Sequence, residues 1–254
     1  MLRSVHKQSV ALFICLGLFL FNLSMFAGEN DQPAVKETKP VLTKTRQLLA
    51  AKKPVRVVIY GDSISEVKKG WNGGAKTPAD NWGAVLVKKM QAAYPDSKFS
   101  VHYFAVGGQN TYEGLGRLQY LEPLKPDLVL VAFGANDCCH HWLQPEATRL
   151  ALTTLLTEIR KRFGADVVTV STGGDNPLKP FFKHLDETLK AQQEAAAAAK
   201  APYVDMRAAI LKATDNGKRW AEFHFNKQNC HPTNKGHVVW ADAAWKVVQE
   251  HLDN

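Results

Sequence analysis

Four short stretches of this chain carry side chains that do chemistry when they are brought together. Gly61-Asp62-Ser63 offers a hydroxyl, and Gly107-Gly108-Gln109-Asn110-Thr111 is a glycine-rich turn. Gly134-Ala135-Asn136-Asp137 places an amide beside a carboxylate, and Cys230-His231-Pro232 supplies an imidazole. A serine hydroxyl becomes a useful nucleophile only when a base takes its proton, and His231 is the best-placed base. Acyl transfer also needs N–H donors preorganised where an oxyanion develops. Each stretch taken singly has an ordinary reading as well. Gly-Asp-Ser and Asn-Asp are common turns and helix caps, a Gly-Gly pair is a common turn, and a His before Pro is commonly a surface residue. Their meaning depends on whether the fold gathers them.

The elements between them give that fold. Val55 to Tyr60 is a short apolar run that stops at Gly-Asp-Ser, which reads as a buried strand of a parallel sheet. Further strands are expected at Phe99 to Val106, Leu128 to Phe133, Asp166 to Ser171 and Pro202 to Val204. Helical spacing or composition marks Asn81 to Tyr94, Thr111 to Leu121, Pro145 to Phe163, Phe181 to Lys200 and Asn234 to Leu252. This alternation predicts an α/β fold, a three-layer α/β/α sandwich around a mainly parallel five-stranded sheet. Ligands in such sheets bind beyond the carboxyl ends of the strands, where Ser63, Gly108 and Asn136 would stand.

At 254 residues, with 45% hydrophobic and 22% charged residues, the chain has material for a sizeable core, and wholesale disorder is excluded. Residues 1–27 have the layout of a secretory signal peptide: Arg3, His6 and Lys7, then apolar Val10 to Phe21, then Ala27-Gly28. Met25 departs from the small residue usual before the cleavage site, so an uncleaved N-terminal anchor is the alternative. With the signal removed, export and no stable membrane insertion are expected. Residues 28–51 read as a linker with a first helix over Val41 to Ala51, and residues 52–254 as one domain. The formal charge of +8 is scattered over lysines, with no basic stripe carrying interleaved aromatics, so nucleic acid is not an expected partner.

In order, spacing and element type, the four stretches resemble the blocks of the SGNH/GDSL hydrolase family: Gly-Asp-Ser, a glycine after the second strand, Gly-x-Asn-Asp and a near-terminal His-Pro. The resemblance implies a flavodoxin-like fold and a serine esterase without a cofactor, with Ser63 as nucleophile and His231 as base. It assigns the oxyanion donors to the backbone N–H groups of Ser63 and Gly108 and to the Asn136 side chain. It further implies a small acyl ester, acetyl foremost, on a carbohydrate or another small molecule as substrate. A lipolytic esterase, lysophospholipase or thioesterase is the alternative, as is a catalytically weakened carbohydrate-binding relative. One block departs from the pattern. Gln228 stands where the family has an Asp three residues before the histidine, so an amide or a backbone carbonyl is expected to orient His231. The loop Gly70 to Asp80 looks like a substrate loop in which Trp71 could stack on a sugar, and Asp62, His140 and His141 are candidates for lining the cleft. The family fold would also bring Cys138 and Cys139 near Cys230. In an exported protein this suggests a disulfide from Cys139 or Cys138 to Cys230. Cys138, Cys139, His140, His141 and Cys230 match no zinc-ligand spacing, and no metal is expected.

Overall fold

Alternation along the first strand sets the layering. In the computed structural model, which describes residues 42–139, 144–225 and 230–253, the chain runs α1 (Thr43–Ala50), β1 (Val55–Gly61), β2 (Val67–Lys68), β3 (Trp71–Asn72) and α2 (Trp82–Ala93). It continues through β4 (Phe99–Ala105), α3 (Thr111–Gly116), β5 (Leu128–Ala132), α4 (Ala135–Cys139), α5 (Pro145–Phe163) and β6 (Asp166–Val170). The remainder is α6 (Leu185–Ala198), β7 (Tyr203–Val204), α7 (Met206–Ala213), α8 (Trp220–Phe223) and α9 (Asn234–Asp253). Successive side chains of a strand point to opposite faces. Val55, Val57 and Ile59 therefore enter a core with Trp82, Leu86 and Met90 of α2 and Trp240, Ala244 and Val248 of α9. Val58 and Tyr60 face Leu152, Leu155 and Ile159 of α5 and Ala195 of α6. The result is the expected α/β/α sandwich.

The sheet has five strands in the order β4-β1-β5-β6-β7, every pairing parallel. Counted along the chain this is the flavodoxin-like order, which reverses direction beside β1. Registration across the adjacent strands β4, β1 and β5 is what matters for the site. Gly61 pairs with Ala105 on one side and Ala132 on the other, so β1, β4 and β5 end in one row. A Cβ on Gly61 would lie 2.4 Å from the Ala132 carbonyl oxygen, so only glycine lets the strands close up there.

Several boundaries differ from the sequence expectation. The first helix, expected over Val41 to Ala51, runs from Thr43 to Ala50 and packs onto the sheet and the last helix. Leu42 is buried, and the Lys44 and Thr45 N–H groups donate to the Asp166 carboxylate at 3.3 and 2.7 Å, satisfying the open first turn of α1. The helix expected from Phe181 begins at Leu185, because the Phe181 and Phe182 N–H groups are held in a loop by the Asp175 carboxylate. The helix over Thr111 to Leu121 breaks at Arg117 into a 3-10 segment, Leu118–Leu124. The antiparallel ribbon β2–β3, α7 and α8 were not anticipated.

Candidate active site

The row of strand ends delivers three of the four stretches to one edge. Ser63 follows β1 by two residues, the Gly107-Gly108 turn follows β4, and Asn136 lies in α4 after β5. The fourth arrives from the other end of the chain. His224 and Pro232 form an antiparallel bridge, Phe225 N–H donates to the His231 carbonyl at 3.2 Å, and Thr233 N–H donates to Phe223 at 2.8 Å. This pairing fixes the start of α9 and with it His231. Ser63 Oγ and His231 Nε2 are 2.8 Å apart, a hydrogen bond between residues 168 positions apart in the chain. Burial disfavours the imidazolium and holds the His231 pKa below its ordinary value. A neutral imidazole is the form that accepts a proton.

The Asn136 side chain is fixed on one side. Its Nδ2 donates one hydrogen to the Gln109 carbonyl at 2.9 Å, which ties the amide to the glycine turn and leaves a second hydrogen on the same nitrogen. The neighbouring Asp137 locks the two loops together. Its buried carboxylate accepts from Thr111 N–H at 3.1 Å and from Thr148 Oγ1 at 3.0 Å, and burial raises its pKa. Gly108 has φ +81°, with open space where a Cβ would be, so backbone is exposed at this turn. Gly107 is tighter: a Cβ there would stand 3.4 Å from Ser63 Cβ and 3.0 Å from Glu66 Oε2. Glu66, paired with Lys68 Nζ at 2.9 Å, is thus a carboxylate beside the site that no motif marked.

Trp71 touches both Ser63 and His231. Its indole N–H donates to the Ser63 carbonyl at 2.9 Å, and its ring meets the His231 ring edge-to-face, with centroids 5.1 Å apart at 84°. Asp62, expected at the substrate cleft, is instead 2% exposed. Its Oδ1 accepts the Ile64 N–H at 3.0 Å, and burial pushes its pKa up to about 7. The expected bridge between Cys139 or Cys138 and Cys230 is likewise corrected. All three cysteines are free, and Cys138 turns its thiol back onto its own helix, against the Gly134 and Ala135 carbonyls. Gln228, His140 and His141 lie outside the described residues. Among the described residues no group of His, Cys, Asp and Glu is arranged to hold a metal ion, and no helix is long and apolar enough to cross a membrane.

His237 and His224, which flank His231 in the sequence, are both buried. His237 Nδ1 accepts the Trp82 N–H at 3.2 Å at the head of α2, and burial lowers its pKa to about 4. His224 stacks on Trp220 with centroids 3.8 Å apart, and burial lowers its pKa to about 3. Asp205 caps α7, accepting from Ala208 N–H at 2.9 Å.

A parallel flavodoxin-like sheet with a serine–histidine pair at its switch point is the build of an α/β ester hydrolase. The sequence profile of the GDSL-like lipase/acylhydrolase family matches residues 59–239, more than half of the chain, and the chain belongs to this family of carboxylic ester hydrolases. A comparison with curated protein sequences finds no match. Solved structures repeat the fold at low identity. A two-domain esterase active on acetylated mannans, co-crystallised with mannopentaose, superimposes with TM-score 0.68 at 17% identity over 84% of this chain and 54% of its own. This chain therefore spans about half of that esterase. An acetylxylan esterase from Geobacillus stearothermophilus gives TM-score 0.62 at 18% identity, covering 76% of this chain and 94% of its own. A lipase/acylhydrolase from Enterococcus faecalis gives 0.60 at 23% identity, covering 78% and 96%.

Proposed function

We propose that the chain is an exported serine esterase that removes small acyl groups, acetyl foremost, from carbohydrate. The observation that carries this reading is the 2.8 Å contact between Ser63 Oγ and His231 Nε2 at the shared end of β1, β4 and β5. His231 takes the hydroxyl proton as Ser63 Oγ bonds to the acyl carbon, and the carbonyl electron pair moves onto oxygen. The Ser63 and Gly108 N–H groups and the second hydrogen of Asn136 Nδ2 receive that oxyanion. Its collapse breaks the bond to the sugar oxygen, which leaves with the proton from His231. Water then repeats the sequence on the acyl-serine and frees the acid. A neutral acceptor, an amide or a backbone carbonyl, takes the place of the family's Asp in orienting the histidine, since Gln228 stands at that position in the sequence.

Support for a glycan substrate comes from the two carbohydrate esterases that share the fold. Support for export comes from the charged, apolar and small-residue sequence of residues 1–27. The test is hydrolysis of p-nitrophenyl acetate and of acetylated xylo- and manno-oligosaccharides, with a fluorophosphonate to label the nucleophile. Turnover and labelling at Ser63 are expected, both lost in Ser63→Ala, and turnover lost in His231→Ala. Glycan binding without turnover or labelling would make this a binding protein on an esterase fold.

A further inference from the structure

We infer that Trp71 is a positioning residue which holds the nucleophile and its base in mutual register, and that the β2–β3 ribbon exists to deliver it. This rests on the serine esterase reading above and deepens it. One side chain touches both partners: its N–H ends on the Ser63 carbonyl, and its ring lies against the His231 imidazole. With the Ser63–His231 hydrogen bond, these contacts close a triangle.

The ribbon is anchored at both loops it serves. Gly73 passes so close to the nucleophile loop that a Cβ would be 2.0 Å from the Ile64 carbonyl oxygen, and Gly74 so close to the histidine loop that a Cβ would be 2.3 Å from the Pro232 carbonyl oxygen. Both have positive φ, +69° and +106°, so neither contact survives an ordinary side chain. Asn81 Nδ2 donates to the Asn72 carbonyl at 3.0 Å and ties the ribbon to the head of α2. Three consequences follow for the chemistry. The indole N–H fixes the peptide carbonyl of the residue whose own N–H serves the oxyanion. The edge-to-face contact restrains rotation of an imidazole whose family partner, an Asp, is replaced here by Gln228. The ring also covers His231 from water, which contributes to the burial that keeps the imidazole neutral. A side chain committed this way is poorly placed to be primarily a platform for sugar.

Trp71→Phe keeps an aromatic contact and deletes the N–H; Trp71→Leu deletes both. For each, kcat and KM are measured from pH 5 to 9 on p-nitrophenyl acetate, which has no sugar, and on an acetylated xylo-oligosaccharide. Trp71→Phe is expected to lower kcat about fivefold on both substrates, the size of one lost neutral hydrogen bond, with KM within about twofold. Trp71→Leu is expected to lose about tenfold or more, and its acid limb should move to higher pH as water reaches His231. The inference is overturned if p-nitrophenyl acetate turnover is unchanged while KM for the oligosaccharide rises, which describes a sugar platform. It is equally overturned if both variants lose the same kcat with an unmoved acid limb. If Trp71→Leu does not fold, an unchanged kcat in Trp71→Phe suffices to refute it. Failure of the esterase reading shows elsewhere, as retained turnover in Ser63→Ala or absent fluorophosphonate labelling.

Discussion

The division of labour on Asn136 Nδ2 is the most exposed claim at the scale of single residues. One hydrogen is spent on Gln109, which orients the amide, and in the proposed mechanism the other receives the oxyanion. Asn136→Ala should therefore lower kcat by ~100- to 1,000-fold and leave KM nearly unchanged, as expected for a donor used mainly in the transition state. Steady-state kinetics on p-nitrophenyl acetate would decide it, and a loss confined to KM would remove Asn136 from the oxyanion site. The burial of His231 makes a second prediction. The proposed mechanism requires the neutral imidazole, and its pKa is depressed, so the acid limb of kcat/KM should fall below about pH 6.5, the ordinary histidine value. A limb at or above that value would show that an anion, not burial, dominates around the ring. In the sequence Ser63, Gly108 and Asn136 stand out because each follows an apolar strand run at a turn or cap, whereas His231 stands out only as the His-Pro ahead of the last helix. The position of Trp71 does not stand out, since nothing local records that its indole would meet a residue 160 positions away.

At the scale of elements, strands and long helices announced themselves through apolar runs and helical spacing, and α5 runs from Pro145 to Phe163 as expected. A ribbon with two residues in each strand has too little periodicity to be read. Its importance is testable through glycine. Gly74→Ala puts a methyl group against Pro232 in a backbone conformation that side chains avoid, a strain on the order of 1–3 kcal/mol. Gly164, at the C-terminus of α5, also has positive φ, +57°, but nothing lies within 4 Å of its Cβ position. Both alanine variants should unfold at lower urea concentration, but only Gly74→Ala should also lower kcat, by displacing the histidine loop. Equal kcat in the two variants would separate the ribbon from catalysis. The start of α1 teaches a complementary lesson. Its first-turn N–H groups at Lys44 and Thr45 donate to Asp166, far along the chain, so the short helix Thr43–Ala50 is tied to the sheet by a contact that no local pattern records.

Across the whole molecule, the site is surrounded by buried ionisable groups whose effects on stability oppose one another. His224 and His237 are held neutral by burial, with pKa values lowered to about 3 and about 4. The stability this represents is present above the unfolded histidine value of about 6.5 and is lost as pH falls through those folded values. Asp62 acts in the other direction. Its pKa is raised from 3.8 to about 7, first by burial and then by the charge of Asp137, so the native state binds a proton that the unfolded chain has released. Its contribution is fully present below pH 3.8 and declines as pH rises to about 7. Because the histidines and the carboxyl act over overlapping windows, the pH profile of the native protein alone does not separate them, whereas a difference between two proteins does. Asp62→Asn keeps an oxygen able to accept the Ile64 N–H and cannot ionise. Measured by urea unfolding, its stability relative to the native protein should improve between pH 5 and pH 8, the histidine contributions cancelling in the comparison. The same difference at both pH values would mean that Asp62 is paired or solvated in the folded protein. The burial of the residue beside the nucleophile would then no longer account for its pKa.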